Sequence, residues 1–546
     1  MQKGLLLVII IILFKAGNLF AQEVTPQANL PFNDNLYLRY DSYLYSKNTD
    51  FHTDIKPYLQ SQVDSVVKDS QVFDIYTRPY PQKNIINKIV NGLLYNHLVL
   101  IKGDNLYVTI DPSINFSVGQ DFNENLSMYN NTRGAVINGS IGSKFSFYAS
   151  IQLTNAIYPG YITQFIRDTL IVPGGAMAQA VKGSTNVADF SPLSGYISYS
   201  PNKYFNFQFG QDKNFIGDGY RSLILSDNAG NYPFFKITTT IWHIKFEDLY
   251  AQMINMQRDS NILGIGFNKK WMAMHYLSWD ATRSLHFGFY DAVIWDNYDS
   301  LGQYRGFDIT YLNPVIFLHT AQYNQGSPDN SVLGLTSSFK PINGLVLYGQ
   351  LLIDDYSFAK SKVAPGFYGD KYGFQIGAKY YNAFGLKGLY LQSELNQVRP
   401  YTYSHTVPEI NYANENQSLA DPLGANFREI NNFIGYTYKR LSVLFQYNFS
   451  EVGGDAPGTD YGSNIFLSDY NIPWYPDAYG ESTLQGILNT IKYYQFTFDY
   501  LINPHNNLCI ELSIAGRTSN SSLQNYAANW FMFGLKTNLY NSYFDF

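Results

Sequence analysis

Cysteine is almost absent: Cys509 stands alone in 546 residues. No intramolecular disulfide can form, which excludes a bridge-stapled secreted scaffold and any CxxC redox or zinc motif. Charge is scarce as well, with Asp, Glu, Lys and Arg at 15% of the chain against about a quarter in an ordinary soluble domain. The formal balance is −6, which offers no basic footprint for nucleic acid. Long apolar runs are missing too. After the first 14 residues none approaches the roughly 20 that a spanning helix needs, so a helical membrane protein is excluded. What is plentiful is aromatic: 48 Tyr and 39 Phe against 6 Trp, in a chain whose mean hydropathy is −0.20. Disordered chains lack such residues. A large all-β protein remains, either a soluble sandwich or propeller or an outer-membrane barrel, and the lack of an internal repeat counts against the propeller.

Lys3, the apolar block Leu5 to Phe14 and the small residue Ala21 describe a secretory signal over residues 1–21, too short to span a bilayer. Residues 22–110 read as an N-terminal periplasmic, helical segment. Ile55, Leu59, Val63 and Val67 recur every four residues, and Ile85, Ile89 and Leu93 repeat the period. Two short helices are therefore expected between about Asp54 and Asn96. Leu98 to Lys102 and Leu106 to Asp111 flank Gly103-Asp104-Asn105 as a hairpin.

Residues 111–546 carry a period of two. Phe145, Phe147, Ala149 and Ile151 alternate with Ser146, Tyr148 and Ser150; Tyr494, Phe496, Phe498 and Tyr500 alternate with Gln495, Thr497 and Asp499. A sandwich would alternate too, but strand after strand here puts Asn, Gln, Ser, Asp and Glu on the second face. A polar lumen explains that face, with lipid meeting the other. Tyrosines at strand ends, as in Tyr380-Tyr381 and Tyr493-Tyr494, suit membrane-interface girdles. A last dyad strand, Phe531 to Leu539, is expected before the final Tyr543-Phe544-Asp545-Phe546, whose aromatic end resembles a barrel-insertion signal. Cys509 reads as a small filler in a strand.

Chemistry is sparse. None of the eight histidines lies at metal-ligand spacing from a nearby Cys or Glu, and no HExxH, GxSxG or Walker A motif occurs. The adjacent acids Asp354-Asp355 and Glu247-Asp248 point to opposite faces of a strand, so neither is a glycosidase pair. Asp354 is expected in the lumen and Asp355 at a turn. The densest polar cluster runs from Gly210 to Tyr232-Pro233, where a dyad strand meets mixed charges and glycines. Asp212, Lys213, Asp218 and Arg221 either pair with one another in the lumen or bind a ligand. Tyrosine rings stack on sugars while Asp, Asn and Arg bond their hydroxyls.

That cluster, Gly210-Gln211-Asp212 to Asn228-Ala229, resembles the signature of the capsule assembly protein Wzi family, and more closely its gliding-motility-associated RemB-type members. Two further blocks agree. One is Tyr311-Leu312-Asn313-Pro314-Val315 with Asp329-Asn330 and Leu347-Tyr348-Gly349-Gln350 to Asp354-Asp355. The other is Glu394-Leu395-Asn396, Arg399 to His405 and Pro422-Leu423-Gly424-Ala425-Asn426. Asp421 departs from the histidine expected before the last block. The resemblance implies an outer-membrane barrel of about 18 antiparallel strands, an N-terminal helical portion on the periplasmic side, and a lectin-like rather than catalytic activity. It also implies retention or organisation of capsular polysaccharide, or a role in adhesion and gliding. The candidate polysaccharide contacts are Asp212, Lys213, Asp218, Arg221, Asp227, Asn228, Asp354, Glu394, Arg399 and Tyr401. The expected partners are outer-membrane lipid, a surface or capsular polysaccharide and gliding or surface-export machinery, with no nucleic acid, cofactor or metal. A porin-like transport channel is the second reading. An enzyme acting on lipid or glycan is a third, and it lacks a nucleophile–base motif.

Overall fold

The computed structural model describes residues 27–73, 85–178, 186–256, 267–299, 301–318, 329–470, 479–537 and 540–546. The expected signal segment lies outside them. Eighteen antiparallel strands close a barrel. In chain order they are β1 Leu106–Asp121, β2 Leu126–Ile141, β3 Phe145–Ile157, β4 Val187–Phe190 with Leu193–Tyr199, β5 Phe205–Asp212 and β6 Tyr232–Ile241. There follow β7 Ile244–Asn255, β8 Asn268–Thr282, β9 Leu285–Asp296, β10 Asn330–Phe339, β11 Leu345–Asp355 and β12 Lys371–Tyr381. The last six are β13 Leu389–Val398, β14 Phe427–Tyr438, β15 Leu441–Gly454, β16 Ile487–Asn503, β17 Leu508–Asn520 and β18 Asn525–Lys536. β4 is one strand in two pieces, both paired with β3. Pro192 lies in the break, where a residue without an N–H cannot feed the ladder. Closure runs from Trp530↔Asp121 to Lys536↔Asn115 between β18 and β1. Closing the ring leaves no edge, so every strand can lie in lipid with its backbone satisfied.

The expected dyads set the two faces. Ile151, Leu153, Phe209, Phe496 and Tyr500 point outward and are exposed, while Ser146, Ser150, Gln208 and Asn448 are buried inward. One barrel end carries only short turns, such as 142–144, 242–243 and 439–440; the other carries the long connections 213–231, 399–426 and 455–486. The hairpin at Val99–Lys102 is present and pairs with Tyr107–Ile110 of β1.

Much of the lumen is occupied by other segments of the chain. From the short-turn end enter α1 (Asp34–Leu44), α2 (Gln60–Val66) and α3 (Asp69–Val72). Asn33 caps α1 by accepting the Leu36 N–H at 3.1 Å. A further helix, α4 (Ile85–Tyr95), falls where the second period predicted one. The first period gives a helix too, α2, but a shorter one: it begins after Leu59, Ile55 is extended and pairs with Ile216, and the longer, unpredicted helix α1 precedes it. Aromatic and aspartate residues hide the apolar period of α1, whose Tyr37 and Tyr40 are buried against Phe32, Tyr58 and Phe73.

From the other end, connections 213–231 and 399–426 fold inward. Ile216, Leu223, Ile224, Leu225 and Leu419 pack on inward Leu249, Met253, Met272, Met274, Tyr290 and Ile294. Each such side chain contributes about 1.5–3 kcal/mol of burial. The lumen face of β6 to β9 is therefore apolar where these connections pack, a correction to the polar interior that the dyads suggested, while Lys236, Lys245, Glu247, Asp280 and His286 keep its short-turn half polar. A segment of the β9–β10 connection also lies on the outer wall, with Phe307 and Tyr311 against Tyr250, Trp271 and Trp295.

The end of the chain differs from expectation as well. β18 stops at Lys536, and residues 540–546 lie inside the lumen rather than extending the last strand. Phe544 and Phe546 pack on α5 (Gly160–Thr169), so the terminal aromatics do not form a strand end facing lipid.

Candidate functional site

The sequence-predicted polar cluster is buried, and almost every group in it is answered by protein. Asp212 ends β5 and accepts the Tyr540 hydroxyl at 2.5 Å. The Lys213 ammonium donates to the carbonyls of Gly174 (2.7 Å) and Asp227 (2.6 Å), and burial lowers its pKa to about 8. Asp218 does not pair with Arg221. It accepts the hydroxyls of Tyr45 and Thr53, each at 2.7 Å, and so ties the N-terminal segment to the β5–β6 connection. Asp227 accepts from Tyr543 (2.7 Å) and Asn541 (2.9 Å), and the Asn228 amide donates to the Ser418 carbonyl at 3.0 Å.

Arg221 is the centre. Its Nη2 lies 2.8 Å from Asp545 Oδ1, and its Nε lies 3.5 Å from Glu429 and 3.7 Å from Asp421. Tyr220 and Tyr543 sit against its guanidinium at 4.7 and 4.8 Å. Burial alone would lower its pKa, but Asp545, Tyr220, Glu429 and Asp421 together raise it well above the ordinary value. Burial, and then Glu429, push Asp421 well above the usual carboxylate range. At the position where a histidine was expected, this chain carries a buried carboxyl group beside the guanidinium. Arg221 Nη1 has no hydrogen-bond partner among the described residues.

Glu394 is saturated, accepting the backbone N–H groups of Tyr220 (2.8 Å) and Arg221 (3.1 Å), the Tyr348 hydroxyl (2.8 Å) and the Asn396 amide (2.9 Å). It joins Arg221 through the backbone, not through the guanidinium. Three candidates lie apart from this centre. Asp354 accepts the Tyr403 N–H at 2.7 Å, Arg399 donates to the Asp370 carbonyl at 2.8 Å, and the Tyr401 hydroxyl donates to the Asp460 carbonyl at 3.1 Å. All three hold the long connections in place.

Space is found elsewhere in the lumen. A cavity of about 400 Å³ lies between α1, residues 540–544 and the inward faces of strands on both sides of the β18–β1 seam. Its wall includes amides, hydroxyls and aromatic rings, Asn130, Thr132, Gln152, Gln446, Gln495, Ser513, Tyr129, Tyr493 and Trp530 among them, together with charged groups such as Asp34, Lys379 and Glu511. None of the ten predicted residues lines it. Sequence reasoning missed this wall because its members are single polar positions on separate strands, with no local cluster. The available signal was the inward half of each dyad, to which Gln446, Gln495 and Gln152 all belong.

No protein-family model and no curated protein matches the sequence. Among solved structures the barrel is similar to Wzi of Escherichia coli, described as an outer-membrane protein of group 1 capsule assembly and a carbohydrate-binding β-barrel. The two share 14% identity with a TM-score of 0.54, over 94% of this chain and 100% of that one. It is also similar to OprD of Pseudomonas aeruginosa (10% identity, TM-score 0.41, 78% of this chain and 94% of that one). OccAB2 of Acinetobacter baumannii matches at 10% identity and TM-score 0.43, over 79% of this chain and 97% of that one. At these identities the likeness concerns the fold: a closed barrel of the kind that spans outer membranes.

Proposed function

We propose that this chain is a non-enzymatic outer-membrane β-barrel of the Wzi-like type that binds or organises surface or capsular polysaccharide. Within that reading it stands nearest the RemB-type members and serves adhesion or gliding, alongside surface-export or gliding machinery. The observation that carries the proposal is the 400 Å³ cavity whose wall includes amides, hydroxyls and aromatic rings. Sugar hydroxyls both donate and accept, as amides and hydroxyls do, and a sugar face stacks on an aromatic ring. Asp212, Asp227 and Arg221 then act mainly as the frame that positions residues 540–545 along the cavity.

The test is glycan binding by purified protein in detergent, followed by calorimetry against surface polysaccharide from the producing cell. Trp530→Ala should weaken binding about 3- to 10-fold, the share of one stacked ring. Unchanged affinity in Trp530→Ala and Gln446→Ala together would overturn the site, and absence of any glycan binding would overturn the function. The porin-like reading is weaker because the apolar plug on β6 to β9 occupies the lumen.

A further inference from the structure

Four side chains that no sequence spacing connects meet near the short-turn end of the barrel. His52 and Asp54 follow α1, while Asp280 and His286 face inward from β8 and β9. Their relative exposures are 7%, 1%, 9% and 6%. Both imidazoles address one carboxylate: His52 Nε2 lies 3.6 Å from Asp280 Oδ2, and His286 Nδ1 lies 3.1 Å from Asp280 Oδ1. The far nitrogen of each ring is held from behind. His52 Nδ1 is 2.6 Å from Ser278 Oγ, and His286 Nε2 is 2.9 Å from Asp54 Oδ2. Asp54 is itself fixed by the hydroxyls of Ser278, at 3.1 Å, and Tyr276.

This network sets the tautomer of His52. Ser278 spends its one hydroxyl proton on Asp54, so His52 Nδ1–H must donate to Ser278 Oγ. In the neutral ring a lone pair at Nε2 then faces Asp280 Oδ2, acceptor against acceptor, and that oxygen has no hydrogen-bond partner. Something positive belongs between them. One divalent cation satisfies both rings and the carboxylate at once. Extra ring protons would instead place two imidazolium cations side by side, with centroids 6.2 Å apart. A bulge supports a built site, because the β8–β9 register slips between Asp280 and Thr282, the irregularity that re-aims a side chain.

We propose that His52 Nε2, His286 Nδ1 and Asp280 form a divalent transition-metal site suited to Zn²⁺, with Asp54 orienting His286 from behind. The donor set is nitrogen and carboxylate oxygen, as zinc takes, and the Asp54–His286 contact is the usual outer partner of a metal-bound imidazole. The three ligand groups place atoms within 4.8 Å of one another, so side-chain shifts of about 1 Å bring them to zinc bonding distance. Because His52 belongs to the N-terminal segment and the other two to the wall, the metal clips the plug to the barrel.

The experiment uses the untagged full-length protein folded in detergent, loaded with ZnCl₂, dialysed exhaustively and assayed for metal by mass spectrometry. The expected result is one zinc per chain, lost in His52→Gln and Asp280→Asn and bound about 10- to 100-fold more weakly in Asp54→Asn. Zinc should also raise the thermal midpoint of the wild type and leave that of Asp280→Asn unmoved. Heat-dependent migration on gels verifies that each variant folds. Co²⁺ loading of the wild type, which needs no variant, should give the visible absorption of a four-coordinate site. No retained zinc and no such absorption in folded wild type would overturn the proposal, as would equal retention by wild type, His52→Gln and Asp280→Asn. Glycan binding is read separately, so failure here leaves the cavity reading standing.

Discussion

Arg221 shows how much one side chain can organise. It is 2% exposed and gathers Asp545, Glu429 and Asp421 around a single guanidinium. Asp545 also accepts from Tyr220 (2.9 Å), Gln446 (2.9 Å) and Asn448 (2.5 Å). Asp545→Ala should therefore cost about 3–5 kcal/mol, the penalty for leaving a buried charge unpaired, measured by urea unfolding in detergent. Asp545→Asn should cost less. Lys213 carries a pH dependence of known sign. Burial lowers its amine from 10.5 to about 8, so the unfolded chain binds the extra proton between those values. Stability should rise as pH increases from 8 to 10.5, by at most about 3 kcal/mol. Thermal midpoints across that range check it, and Lys213→Met should flatten the rise. The residue types of this centre were legible in the sequence, because mixed charge in a low-charge chain stands out. Their partners were not. Asp545 lies over three hundred positions from Arg221, and only the folded lumen brings the two together.

Among the elements, the β9–β10 connection solves a problem the dyads create. Asp248, His275 and Asp291 are register neighbours across β7, β8 and β9, on the face that elsewhere meets lipid. His275 Nε2 lies 3.4 Å from Asp248, and its Nδ1 lies 3.9 Å from Asp291. Residues 307–318 cover the row, and the Phe317 N–H donates to Asp291 at 2.9 Å. The segment turns Ile309, Leu312 and Val315 outward in their place. Replacing 307–317 with a Gly-Ser linker should lower stability in bilayers by about 2 kcal/mol, the order of cost of charge on a lipid face. A triple change of Asp248, His275 and Asp291 to leucine should restore most of it, as read by urea unfolding in vesicles. The Glu247-Asp248 pair illustrates the limit of local reading. Strand period put the two acids on opposite faces, as observed, but nothing nearby in sequence announced the cover over Asp248.

At the level of the molecule, the barrel is a plugged vessel with cavities inside it. The N-terminal segment, connections 213–231 and 399–426 and residues 540–546 plug much of the lumen, with cavities left between them among the described residues. Planar-bilayer recordings of the wild type should be silent. Replacing Phe215 to Ala229 with a short Gly-Ser linker should open steady conductance, because it removes the apolar plug that packs on Met272 and Met274. A conducting wild type would contradict the plugged reading.

The sequence by itself determined the barrel. A period of two, an outward apolar face and the want of charge are local properties, set by the alternation of side chains along an extended chain and by the need to satisfy every backbone group in lipid. Tertiary structure alone decided what fills that barrel. Inward positions look alike in sequence whether they meet water, a sugar or another segment. Met272 and Gln446 take their meaning from what lies opposite: an apolar loop for the one, a polar cavity and Asp545 for the other. His52, Asp280 and His286 meet for the same reason. Closing the ring and folding the chain's ends inward sets side by side residues that the linear order keeps hundreds of positions apart.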